Sequence, residues 1–139
     1  MNTIPLVDIL SKQLNKVVVM KDTDYVLLDT KEVVPQIDID IAIIEQNRLM
    51  NIELYQEWKT QRNNAVANID VTYSGVIYQG DEDSQSRLSR AILALPDDVT
   101  TTAWVAKDNS VHQLTRIDLS AILALGGAEQ SRLWNLGRP

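Results

Sequence analysis

The chain has no cysteine and no phenylalanine, a single histidine, five glycines and four prolines. Without cysteine there are no disulfides, no thiolate chemistry and no cysteine-ligated metal. So little glycine and proline does not fit a collagen-like or low-complexity chain. No apolar run approaches the roughly 18 residues that a membrane-crossing helix needs. Nor does "MNTIPLVDILSKQLNKVVVM" carry the apolar core and small-residue cleavage pattern of a signal peptide. The expectation is a soluble protein made in the cytoplasm, with no membrane partner. No dense Lys/Arg cluster occurs, net charge is -6 and the sequence pI is about 4.6. That balance argues against a nucleic-acid backbone as main partner.

What is present is 45% hydrophobic residues across 139 positions, enough for one core or a small domain with an extended arm. With few aromatics, that core must come from Leu, Ile, Val and Ala. Three segments follow one another. Residues 1–35 read as an arm: a short amphipathic helix in "PLVDILSKQL", then a hairpin pairing Lys16–Met20 with Tyr25–Asp29, then an extended connector at Pro35.

Residues 36–68 read as one long helix. Alternating Ile37, Ile39 and Ile41 suggest a strand at its start, and from about Asp40 the spacing turns helical for some 25 residues. A helix that long in a short chain raises the question of a coiled coil. One seam passes Ile37, Ile44, Asn51 and Trp58, the other Ile41, Arg48, Tyr55 and Arg62, a poor heptad pattern. The helix either pairs with another copy or packs along its own domain. Ile44, Tyr55 and Trp58 are its candidate interface residues, and Trp134 near the C-terminus is a fourth.

Residues 69–139 read as a small α+β domain of two hairpins and two helices, with the helices against one face of a four-stranded sheet. Ser74-Gly75 and Asp108-Asn109 mark the two turns. "AILAL" occurs at Ala91–Leu95 and again at Ala121–Leu125, each time after a hairpin. The overall fold class is therefore α+β: a long helix, a two-hairpin, two-helix domain, and an N-terminal arm with its own hairpin.

The strongest candidate for chemistry is "GDEDS", residues 80–84. A calcium loop needs oxygen ligands over about 12 residues and a closing Glu, and here Arg87 follows instead. A helix start explains the composition without a ligand. Asp83 or Ser84 would cap free amides, and the acids sit at the positive end of the helix dipole. Thr115, with Asp118 three residues on, is the matching cap of the second helix. His112 stands alone in a strand, without a nucleophile at a telling spacing. The pairs Asp38/Asp40 and Asp97/Asp98 show no sign of a shared cleft, and no Gly-rich phosphate loop occurs. No catalytic residue, metal site or cofactor is expected.

"GDEDSQSRLSRAIL" followed by "AWVAKDNSVHQLTRIDLSAIL" resembles the DUF4376 domain of tailed-phage and prophage proteins, over about residues 53–136. The matching positions are Asp81, Asp83, Ser84, Gln85, Arg87, Trp104, Asp108, Asn109, Leu114, Thr115, Asp118 and Leu119. Tyr78-Gln79 departs from the family's usual strand end. The resemblance implies a structural or assembly role in a phage tail. The protein would be made in the host cytoplasm and would reside in the virion tail at the baseplate or a tail-fibre attachment point. Other tail or tail-fibre proteins would be its partners, in a symmetric assembly of trimers or higher. A tail-fibre assembly chaperone, absent from the mature virion, is the alternative.

Overall fold

The structure, a computed structural model, describes residues 3–139. The first two residues of the expected arm lie outside that range. The chain forms two compact units, one running to Glu57 and the other spanning Trp58–Arg138. The division falls inside a helix.

The first unit opens with α1, Leu6–Leu14. Pro5 precedes it with the fixed φ that suits a helix entry, and Asn15 ends it in the left-handed region at φ 51°. Then β1 (Val18–Lys21) pairs antiparallel with β2 (Asp24–Leu27), Lys21 opposite Asp24. The hairpin is shorter than the pattern suggested and its register is tighter. A two-residue turn at Asp22-Thr23, with Asp22 at φ 53°, sets it. Ser11 Oγ accepts from the Val18 amide at 3.0 Å and ties α1 to β1. Ile9, Leu10, Val18, Val34 and Ala42 form a buried cluster, with Ile39 and Leu49 against it. The first 57 residues thus hold a core of their own.

The long helix α2 runs Gln36–Ala67, 32 residues. The expected strand over Ile37, Ile39 and Ile41 is absent; the helix begins directly after Pro35. The Pro35 carbonyl accepts from the amides of Asp38 and Ile39, and Asp38 sits in the first turn, where the helix dipole favours an acid. The alternation misled because this helix is apolar on opposite sides. Ile39, Ala42 and Leu49 face the cluster, while Ile37, Ile41 and Ile44 are exposed.

The second unit takes the end of α2, then β3 (Asp70–Tyr73), β4 (Val76–Gln79), α3 (Glu82–Ala94), β5 (Thr101–Val105), β6 (Val111–Thr115) and α4 (Arg116–Asn135). Ser74 and Gly75 both have positive φ, as a two-residue hairpin turn requires. The two hairpins do not merge into the expected four-stranded sheet. Each is a separate two-stranded ladder, and one backbone bond, Lys107 N–H to the Ile77 carbonyl at 2.9 Å, links them. Their inner residues Val71, Tyr78, Ala106 and Leu114 join Leu88 of α3 and Leu119 and Ile122 of α4 in one core. The architecture is α+β, with four helices and three two-stranded antiparallel sheets among the described residues.

The two "AILAL" copies end differently. After the first comes Pro96, which disfavours helical backbone at the residue before it. Leu95 is accordingly extended, at ψ 132°, and α3 stops. After the second come Gly126 and Gly127, and α4 continues through them.

Candidate interaction surfaces

The residues singled out from "GDEDS" form a helix start, displaced from its expected position. Asp81, not Asp83 or Ser84, is the N-cap of α3. Glu82 and Asp83 occupy its first turn, at the positive end of the helix. Ser84 is turned inward and buried. Its hydroxyl donates to Asp81 Oδ1 at 2.5 Å and accepts from Arg87 Nη2 at 3.1 Å. Of the three acids, Asp81 is thus taken up by a local bond, and Glu82 and Asp83 lie at the favourable end of the helix dipole. Among the described residues no group of three or more His, Asp or Glu is placed to hold a metal ion.

Thr115 is the N-cap of α4 in a complete capping box. Its hydroxyl accepts from the Asp118 amide, and Asp118 Oδ2 accepts from the Thr115 amide at 2.8 Å. The other carboxylate oxygen, Oδ1, accepts from the Tyr73 phenol at 2.7 Å. This bond joins the first hairpin to the second helix. The bonds from the Thr115 amide, the Thr115 hydroxyl and Tyr73 hold the Asp118 carboxyl below the usual carboxylate range. In return the bond to Asp118 pushes the Tyr73 phenol up.

His112 meets a hydroxyl that sequence spacing did not reveal. Ser110 Oγ lies 2.8 Å from His112 Nε2 and 2.5 Å from Asp108 Oδ1. The polarity is wrong for an activated nucleophile. A serine hydroxyl has one proton, and here Asp108 takes it. His112 must then donate to the serine oxygen rather than accept from it. The Ser110 amide also donates to Asp108, so the three residues close the β5–β6 turn.

Trp58 and Trp134 come together, which no linear pattern indicated. The Arg62 guanidinium lies between them, 4.9 Å from the Trp58 ring centroid and 3.8 Å from that of Trp134. The Trp58 indole N–H donates to the Leu136 carbonyl at 2.8 Å. The stack pins the end of α4 to the last turns of α2, at a cation–π gain of about 0.5–1 kcal/mol per exposed contact. Trp58 therefore serves its own unit. A small cavity of about 310 Å³ lies beside it, lined by Arg62, Ala65, Leu133 and Leu136.

A family model described as a domain of unknown function, DUF4376, matches residues 51–136, more than half of the chain. The chain belongs to the DUF4376 family. Comparison with curated proteins and with solved structures gave no match. The DUF4376 stretch takes in the capped helix starts, both hairpins and the Trp58–Arg62–Trp134 stack.

Most of the first unit lies outside the DUF4376 match, and so does the start of α2. Ile37, Ile41 and Ile44 are 64%, 48% and 69% exposed there, and Tyr55, inside the match, is 37% exposed. At spacings of three and four residues they share one side of the helix with Arg48 and Asn51. Beside this stripe an apolar groove of about 660 Å³ runs between α1 and α2, lined by Ile4, Ile9, Ile41 and Leu49 and rimmed by Lys12 and Arg48. Ile44 and Tyr55 thus lie on an exposed stripe of the first unit, whereas Trp58 and Trp134 stack within the second.

Proposed function

We propose that this protein is a non-catalytic structural component of a bacteriophage tail, at the baseplate or at a tail-fibre attachment point. Its partners are other tail or tail-fibre proteins. It is made in the host cytoplasm and ends in the virion tail. The observation that carries the reading is the DUF4376 match over residues 51–136, a domain of phage-related proteins. The geometry supports a binding role. The polar groups that converge, Thr115 with Asp118 and Tyr73, and Asp81 with Ser84 and Arg87, satisfy one another at helix starts. The first unit, by contrast, leaves an isoleucine stripe uncovered.

Mass spectrometry of purified phage particles, with copy number, tests the reading. The expected result is the intact chain in the particle at a fixed ratio to the tail proteins. Absence from the particle, with misfolded fibres when the gene is deleted, would replace it with a fibre-assembly chaperone.

A further inference from the structure

We propose that the exposed stripe of α2 is a self-association surface that pairs two copies of this chain antiparallel about a two-fold axis between Ile44 and Arg48. This goes beyond the tail reading and stands whether or not that reading holds.

The stripe is Ile37, Ile41, Ile44, Arg48, Asn51 and Tyr55. Its four apolar residues and the adjacent Ile52 are between 37% and 69% exposed. Together they leave on the order of 500 Å² of side chain open, at the upper end for a patch on a monomer. Ile39, Ala42 and Leu49 on the opposite side are already committed to the unit's own core. At Ile37, Ile41 and Ile44 the helix therefore has a second apolar side, exposed and outside the buried cluster among the described residues.

Charge selects the occupant and its direction. The stripe's central charges are Glu45 and Arg48, held together by a fork in which Arg48 Nε and Nη2 each donate to Glu45 at 2.7 Å. In a parallel pair, Arg48 would face the second copy's Arg48 across the seam, and Asp40 would stand beside the second copy's Glu45. Both contacts repel. In an antiparallel pair centred between Ile44 and Arg48, each Arg48 approaches the other copy's Glu45. Its remaining nitrogen, Nη1, can then donate to a second carboxylate. The spacing 4-3-4-3-4 along the stripe reads the same in both directions, so it superposes on itself in this arrangement. Ile37 then meets the second copy's Tyr55, and Ile44 packs on the methylene stem of the second copy's Arg48. Two such stripes bury about 1,000 Å², at the lower limit for a specific interface, which places the pair among weak, reversible associations.

Sedimentation equilibrium on the full chain, from about 1 to 200 µM, should show a monomer–dimer equilibrium. Arg48→Glu sets four carboxylates together and should weaken the pair at least tenfold. Adding Glu45→Arg to it restores the alternation and should restore the dimer. Arg48 is exposed and Glu45 half-buried, and far-UV circular dichroism checks that the variants stay folded. The cysteine-free chain offers a test of direction. Ile37→Cys and Tyr55→Cys chains should form a disulfide when mixed, and neither should cross-link alone. A monomer throughout the range, a trimer, failure of the charge swap, or self-cross-linking of Ile37→Cys overturns the proposal.

Discussion

At the residue scale, the neighbouring glycines of α4 behave oppositely. Both are helical, where replacing glycine by alanine gains about 1 kcal/mol of propensity. A methyl group on Gly127 would find only the Gln85 amide oxygen, 3.9 Å away. On Gly126 it would stand 3.0 Å from the Gly80 carbonyl oxygen, which is backbone and cannot swing aside. Overpacking of that kind costs about 1–3 kcal/mol. Gly127→Ala is therefore expected to raise stability by about 0.5–1 kcal/mol and Gly126→Ala to lower it, measured by urea unfolding followed through tryptophan fluorescence. Acid should act through Asp118. Its carboxyl titrates lower in the folded chain than in the unfolded one, chiefly through the Thr115 amide and hydroxyl. The unfolded chain thus binds more protons in this window. The stabilisation is complete above the unfolded value near about 4 and is lost as pH falls through the folded one. Asp97, through Thr100, and Asp108, through Ser110, shift the same way. Asp118→Asn should therefore flatten part of the acid limb, not all of it, when melting temperature is followed from pH 7 to 3.

At the element scale, what was legible followed from local chemistry. Ser74-Gly75 announced a hairpin because its turn needs two positive φ values, and both residues have them. Thr115 and Asp118 announced a helix start because a capping box is a short-range device. What was misplaced depended on surroundings. Asp83 and Ser84 looked like caps, but the backbone turns helical at Glu82, because Gly80 must pass close to Gly126 and Ser84 is needed inside. Ile37, Ile39 and Ile41 looked like a strand because two apolar sides of one helix overlay into alternation. The stack of Arg62 between Trp58 and Trp134 was invisible, since it joins residues more than 70 positions apart through tertiary packing alone. The serine beside His112 was missed for a smaller reason. Ser110 lies in the turn, one residue before β6, and a serine two residues after an aspartate there reads as ordinary turn closure.

At the scale of the whole molecule, the two buried clusters share no residue. Each should answer to its own core mutations, and the distribution of aromatics makes this measurable. All three tryptophans, Trp58, Trp104 and Trp134, belong to the second unit. Fluorescence therefore reports that unit, whereas helical circular dichroism reports both. Leu10 and Leu119 are each fully buried, one in each cluster. Leucine-to-alanine changes at such positions cost about 2–5 kcal/mol, a large share of what a core of fewer than 60 residues can supply. Leu119→Ala should lower the urea midpoint seen by fluorescence. Leu10→Ala should leave that midpoint nearly unchanged and split the circular dichroism transition, with an early loss of helix from the first unit. A matched fall in both signals for Leu10→Ala would instead mean that the units unfold as one, coupled through the helix they share. Because that helix carries the isoleucine stripe, the same variant should also weaken self-association while the DUF4376 unit stays folded.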